Sequence, residues 1–219
     1  MSIKGIIFDL DGTLINSVDD IADSLNFTLK QYGFEEHSAE YVKDWIGEGA
    51  IELIRKAIPA QRLVHLDIQK FLWEYRERYR LNCNVKSKLY DGIPALLDVL
   101  TLRKISLNIL SNKPQELTVE VFRHFLSDWK FLNILGMRDS VPRKPDPTGA
   151  LEIIANLKLQ PSEFLYIGDS GIDIETARNA KIKVVAVSWG FRPRIELENQ
   201  DPDYIIDRPE ELLSILGSN

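Results

Sequence analysis

Short apolar segments alternate with stretches of helical periodicity along most of this 219-residue chain. The apolar segments are each short enough to form one buried strand, and they cover residues 3–8, 105–110, 164–167 and 182–187, with a weaker one at 204–206. The helical stretches between them cover residues 94–102, 116–126, 148–157 and 172–179. Strands that are separated by helices pair in parallel, and the helices cover both faces of the sheet. The sequence therefore predicts an α/β fold built on a parallel sheet.

Residues 18–85 interrupt this alternation, because their apolar residues recur at helical intervals and no convincing strand pattern is present. The spacing indicates one helix around Leu25 and Leu29, another around Leu53 and Ile54, and a third over residues 62–79. We therefore interpret residues 17–87 as a helical domain inserted after the first strand. Residues 1–16 and 88–219 then form the α/β core.

Composition and charge argue against several classes of protein. The net charge of −6 disfavours a general nucleic-acid or membrane surface, since both attract basic patches. Cys83 is the single cysteine, so an intrachain disulfide and a cysteine-based zinc site are excluded. The apolar run at the start of the sequence reaches the carboxylates Asp9 and Asp11 before it is long enough for a signal peptide, so we expect none. We expect a cytoplasmic monomer or homodimer without a nucleic-acid or membrane partner.

Polar residues follow the predicted strands where each strand ends. Ligands of open parallel sheets bind beyond the carboxyl ends of the strands, so these residues are candidates for one site. They come from four separate segments of the chain: Asp9, Asp11 and Thr13; Ser111, Asn112 and Lys113; Lys144; and Asp169 with Asp173.

The residue types at these ends suit phosphoryl transfer. Crowded carboxylates repel one another unless a hard cation joins them, and oxygen ligands suit Mg²⁺. A carboxylate nucleophile can form an acyl-phosphate, and a second carboxyl can move the proton of the leaving alcohol. A lysine and a small hydroxyl can bind the phosphoryl oxygens.

In order and spacing, these residues resemble the four-motif signature of the haloacid dehalogenase superfamily. The motifs are Asp9-Leu10-Asp11-Gly12-Thr13, Ser111, Lys144 and Gly168-Asp169 with Asp173. The resemblance implies a Rossmann-like core and a mobile helical cap, with Asp9 as nucleophile and Asp11 as general acid and base. It also implies phosphate binding by Ser111 and Lys144, a set in which we include Thr13 and Asn112.

The same resemblance implies a magnesium ion. The side chains of Asp9 and Asp169 and the backbone carbonyl of Asp11 would hold it, with Asp173 supporting the metal directly or through water. Asp11 also disfavours a dehalogenase, because a halide leaves without a proton and dehalogenases of this superfamily lack a carboxyl at this place.

Two further segments are similar to phosphoglycolate phosphatases. One is the Gly-x-Gly segment at Gly47 and Gly49, where backbone amides could approach a small anionic substrate, although a plain turn between helices fits equally well. The other is Trp189-Gly190-Phe191. The nearby Arg192 and Arg194 could contact the substrate, but we expect them to be solvated surface residues.

We therefore predict a Mg²⁺-dependent phosphatase of a small phosphate ester, with 2-phosphoglycolate as the best single substrate. A sugar phosphomutase and a non-catalytic binding protein on the same scaffold remain as alternatives. The substrate depends on cap residues whose orientation the sequence does not give.

Overall fold

A six-stranded sheet lies at the centre of the computed structural model, which describes residues 2–139 and 141–217. In chain order the strands of the protein are β1 (Gly5–Phe8), β2 (Ile15–Asn16), β3 (Lys88–Leu89), β4 (Ser106–Pro114), β5 (Phe131–Met137), β6 (Phe164–Gly168), β7 (Lys183–Val187) and β8 (Tyr204–Ile206). The central sheet has the order β5-β4-β1-β6-β7-β8, and every neighbouring pair is parallel. The predicted parallel α/β fold is confirmed.

One strand of this sheet was not predicted from the sequence. β5 lies at the edge of the sheet and pairs only with β4. Most of its residues are partly exposed, and Asn133 and Gly136 interrupt its apolar run. A half-exposed edge strand lacks the continuous apolar pattern of a buried central strand, which is why periodicity did not reveal it.

Helices cover both faces of the sheet. In chain order the helices of the whole protein are α1 (Val18–Gln31), α2 (Ala39–Trp45), α3 (Ala50–Ala57), α4 (Ala60–Leu63), α5 (Ile68–Asn82), α6 (Ile93–Leu102), α7 (Gln115–Phe125), α8 (Thr148–Leu157), α9 (Gly171–Asn179), α10 (Arg194–Glu198) and α11 (Leu212–Ile215). Side chains alternate between the faces of a strand, so Ile6 and Phe8 pack with α6 and α7 while Ile7 packs with α8 and α9.

Helices α1 to α5 follow one another between β2 and β3, in the segment for which the sequence predicts a helical insertion. A two-residue antiparallel ribbon of β2 and β3 lies where the chain leaves the core and where it returns. The single helix expected over residues 62–79 is instead two helices, α4 and α5. The Asp67 carboxylate accepts a hydrogen bond from the Lys70 backbone N–H at 3.0 Å and so begins α5 as its N-cap.

Within the part of the chain that the structure describes, no helix has both the length and the apolar composition that crossing a bilayer requires.

Candidate active site

The carboxyl ends of three adjacent strands bring most of the predicted residues to one cavity. Asp9 follows β1, Ser111 and Asn112 lie in the final part of β4, and Asp169 follows β6. These residues and Asp11, Lys144, Gly47 and Gly49 line a cavity of about 70 Å³ between the sheet edge and the helical insertion. The insertion contributes an apolar wall, formed by Ile21, Ile46, Leu53, Tyr75 and Tyr79.

Three buried aspartates form an acidic cluster, and two of them, Asp9 and Asp169, line this cavity. Carboxylate oxygens of Asp9, Asp169 and Asp173 all lie within 4.8 Å of one another. The Lys144 ammonium lies among them, with its Nζ 2.9 Å from Asp9 Oδ1 and 2.7 Å from Asp173 Oδ1. Burial raises the pKa of Asp9, an effect that Lys144 opposes and Asp173 reinforces. Burial, Asp173 and Asp9 likewise raise the pKa of Asp169.

The Asp173 carboxylate holds Lys144 in place and is itself fully engaged. Its Oδ1 accepts hydrogen bonds from Lys144 Nζ and from the Tyr166 hydroxyl at 3.3 Å. Its Oδ2 accepts from the Ser170 hydroxyl at 2.6 Å and the Ser170 N–H at 3.2 Å, which caps the first turn of α9. This side chain is completely buried, so it orients the lysine and fixes the helix start.

Asp169 is positioned by the segment that follows β1 and by the loop after β7. Its Oδ2 accepts the Phe191 N–H at 2.7 Å, and its Oδ1 accepts the Thr13 hydroxyl at 3.4 Å. Gly12 has a φ of +86°, and a side chain at that position would collide with the Asp169 carboxylate. The Gly12-Thr13 pair therefore packs against Asp169, and the buried Thr13 hydroxyl is directed at that carboxylate.

Asp11 contacts a lysine that sequence reasoning left without a role. Lys113 Nζ lies 2.6 and 2.7 Å from the two Asp11 oxygens and donates to the Tyr79 hydroxyl at 2.8 Å. The Ser17 hydroxyl donates to Asp11 Oδ1 at 2.5 Å. The position of Lys113 directly after Ser111 and Asn112 was a usable signal. No signal in the sequence pointed to Tyr79, because an aromatic residue on a helix is just as typical of hydrophobic core packing as of a functional site.

The Gly-x-Gly segment contacts the core through its backbone. Gly47 and Gly49 have φ values of +119° and +90°, which favour glycine. Arg192 donates to the carbonyls of Lys43 and Ile46 at 3.0 and 2.6 Å. Arg192 is therefore partly buried against the helical insertion, contrary to the expectation of a solvated side chain.

Arg194 does lie on the surface, as expected. It pairs with the exposed Glu198 and Asp207.

The acidic cluster fits a hard divalent cation. Three buried carboxylates lie close together, and the Lys144 ammonium pairs with only two of them, Asp9 and Asp173. Burial, with Asp173 adding to it, raises the pKa of both Asp9 and Asp169. Carboxylate oxygens in such an arrangement are the ligands that Mg²⁺ prefers.

Comparison with known proteins agrees with this geometry. Residues 6–187 match the model of the haloacid dehalogenase-like hydrolase family. The chain is 34% identical to the phosphoglycolate phosphatase of Aquifex aeolicus, over 98% of this chain and 97% of that protein. It is 30% identical to the N-acetylmuramic acid 6-phosphate phosphatase of Pseudomonas aeruginosa, over 99% and 96% of the two chains.

A solved structure shows the same fold. A predicted phosphoglycolate phosphatase from Haemophilus somnus is 30% identical and superposes with a TM-score of 0.91, over 98% of each chain. The family model covers most of the sequence, and the relatives match it from end to end. This chain therefore belongs to the haloacid dehalogenase-like hydrolases and is a phosphatase of that family.

Proposed function

We propose that this protein is a Mg²⁺-dependent phosphomonoester hydrolase that works through an aspartyl-phosphate on Asp9. The observation that carries the proposal is the buried cluster in which Lys144 lies between Asp9 and Asp173, with Asp11 lining the same cavity. The best single substrate is 2-phosphoglycolate, which is supported by curated relatives bearing the name phosphoglycolate phosphatase.

In the first step a carboxylate oxygen of Asp9 attacks phosphorus. The bond between phosphorus and the ester oxygen breaks, and its electron pair stays on the leaving oxygen, which takes a proton from Asp11. Lys144 and Ser111 would bind the phosphoryl oxygens. Magnesium held by Asp9, Asp169 and the Asp11 carbonyl would neutralise charge on the carboxylates and the phosphate.

In the second step the Asp11 carboxylate takes a proton from water, and the water oxygen attacks phosphorus. The bond from phosphorus to Asp9 breaks, which releases phosphate and restores both aspartates. Hydrogen bonds from Lys113 and Ser17 fix the orientation of the Asp11 side chain in this cavity. Apolar side chains of the insertion would limit entry of bulk water.

The proposal includes a mobile cap formed by residues 17–87. Support comes from the short connection between the parts, since β2 and β3 pair through only two residues each. The apolar wall of the cavity belongs to this segment. Closure over a bound substrate would bring that wall onto the leaving group.

The test is phosphate release from a panel of phosphate esters, with and without Mg²⁺. The panel contains 2-phosphoglycolate, N-acetylmuramic acid 6-phosphate and β-glucose 1-phosphate with a bisphosphate primer. We expect phosphate release that depends on Mg²⁺ and that Asp9→Asn abolishes. The control is Asp128→Asn, a change at an exposed aspartate of the α/β domain, and it should leave the release unchanged.

Three results would contradict the proposal. Robust turnover by Asp9→Asn would remove the nucleophile. Isomerisation of glucose 1-phosphate without net phosphate release would indicate a phosphomutase. Inactivity on every ester would favour a binding protein.

A further inference from the structure

Three consecutive carbonyls of the cap accept hydrogen bonds from three different core side chains. Ile46 O accepts from Arg192 at 2.6 Å, and Glu48 O accepts from Arg143 at 2.6 Å. Between them, Gly47 O accepts from Asn112 Nδ2 at 2.9 Å. The backbone of the Gly-x-Gly segment is therefore held to the core at each of these carbonyls.

The middle contact differs from the other two because Asn112 also binds the backbone of Lys144. Its Oδ1 accepts the Lys144 N–H at 2.9 Å, and its Nδ2 donates to the Lys144 carbonyl at 3.1 Å. Both N–H groups of the Asn112 carboxamide therefore donate hydrogen bonds, one to the Gly47 carbonyl in the cap and one to the Lys144 carbonyl. The side chain is nearly fully buried.

These contacts assign Asn112 a role other than phosphate binding. A phosphate oxygen needs donors, and both donors of this amide point at carbonyls. We propose that Asn112 is a positioning residue that couples closure of the cap to the placement of Lys144 beside Asp9. The planar carboxamide is the link, since its rotation cannot break the contact with Gly47 without disturbing the two with Lys144.

The consequence is a site that is fully assembled only when the cap is closed. Lys144 lies in an irregular loop between β5 and α8, so its backbone depends on contacts such as those with Asn112. Its ammonium pairs with the proposed nucleophile Asp9 at 2.9 Å. The inference takes the catalytic role of Lys144 from the proposed function. Its other premises are the observed contacts of Asn112 with Gly47 and Lys144.

The variants that test it are Asn112→Ala, Asn112→Asp and Arg143→Met. Asn112→Ala removes the cap contact and both Lys144 contacts. Asn112→Asp keeps an acceptor for the Lys144 N–H but loses both donors. Arg143→Met is the matched control, because it removes a neighbouring cap contact at Glu48 and leaves Asn112 in place.

Hydrogen exchange of the free protein, followed by mass spectrometry, measures the coupling without catalysis. In Asn112→Ala we expect faster exchange in residues 43–50 and in residues 141–147. In Arg143→Met only residues 43–50 should change, and in Asn112→Asp the Lys144 amide should stay slow. Acceleration confined to residues 43–50 in Asn112→Ala, or no change at all, would overturn the proposal.

Kinetics on the best substrate of the panel give a second readout. Asn112→Ala should lower kcat by about 10- to 100-fold, since misplacing a reacting group is that costly. Arg143→Met should act mainly on KM. Equal kcat values for Asn112→Ala and the parent protein would overturn the role for Asn112, whereas activity in Asp9→Asn would overturn only the proposed function.

Discussion

At the scale of single residues, two lysines divide the carboxylates of the site between them. Lys144 contacts Asp9 and Asp173, and Lys113 contacts both oxygens of Asp11. Each lysine is buried, so its charge acts on the neighbouring carboxylates with little screening by water. The two proposed catalytic aspartates thus have different electrostatic surroundings although they are two residues apart.

Lys113→Met should slow turnover. The change leaves Asp11 without its cation, and a hydrogen bond between charged groups contributes about 1.5–3 kcal/mol, so kcat should fall about tenfold or more. Tyr79→Phe removes one contact of Lys113 and should have a smaller effect. Steady-state kinetics measure both, with thermal melting as a check of folding. If Lys113→Met has the same kcat as the parent protein, Lys113 does not contribute to proton transfer by Asp11.

At the scale of elements, one carboxylate ties the start of the helical insertion to its end. Asp20 in α1 accepts the backbone N–H groups of Val85, Lys86 and Ser87 at 2.8–3.1 Å. These residues directly precede β3, so the contact fixes the chain on both sides of the β2–β3 ribbon. The Asp20 side chain is buried, and without it these amides would lack an acceptor.

Asp20→Ala should therefore destabilise the fold by about 3 kcal/mol, because the buried Ser87 N–H and the partly buried N–H groups of Val85 and Lys86 would lose their charged acceptor. Asp23→Ala is the matched control in the same helix. Asp23 pairs with the Lys86 ammonium, but both side chains are more than half exposed, so its loss should cost about 1 kcal/mol or less. Urea denaturation followed by tryptophan fluorescence gives both values. Equal losses for the two variants would refute the importance of the Asp20 contacts.

At the scale of the whole molecule, the acidic cluster links stability to pH and to metal. Asp9 and Asp169 have pKa values raised mainly by burial. A carboxyl with a raised pKa in the folded state stabilises the fold below its unfolded pKa, and this contribution is lost as pH rises through the folded pKa. The metal-free protein should therefore lose stability as pH rises above the usual aspartate range.

Mg²⁺ should reverse this trend. The ion binds the deprotonated carboxylates, so protons compete with it and its effect should grow from about pH 6 to about pH 8.5. At a concentration 100 times its Kd, the ion should stabilise the fold by about 2.7 kcal/mol. Thermal melting with Mg²⁺ or with EDTA measures the difference, and Asp169→Asn should reduce it. A Mg²⁺ effect that shrinks as pH rises would contradict the proposed ligands.

The local sequence was enough to predict the parallel sheet and the edge at which Asp9, Ser111 and Asp169 lie, although β4 continues past the predicted strand to Pro114. Buried strands leave an apolar pattern, and parallel strands bring their carboxyl ends to one edge, so order along the chain already implies proximity. The edge strand β5 and the break between α4 and α5 escaped this reasoning. The first is half exposed, and the second depends on a single capping carboxylate.

Only the tertiary structure decided the partners of these residues. The contacts of Lys113 with Tyr79, and of Asn112 with Gly47 and Lys144, join segments 32 to 65 residues apart. Periodicity predicts which side of an element is buried, but it does not predict which distant polar atom a side chain meets. That choice depends on how the helical insertion packs against the sheet edge, because donors and acceptors pair only at distances near 3 Å.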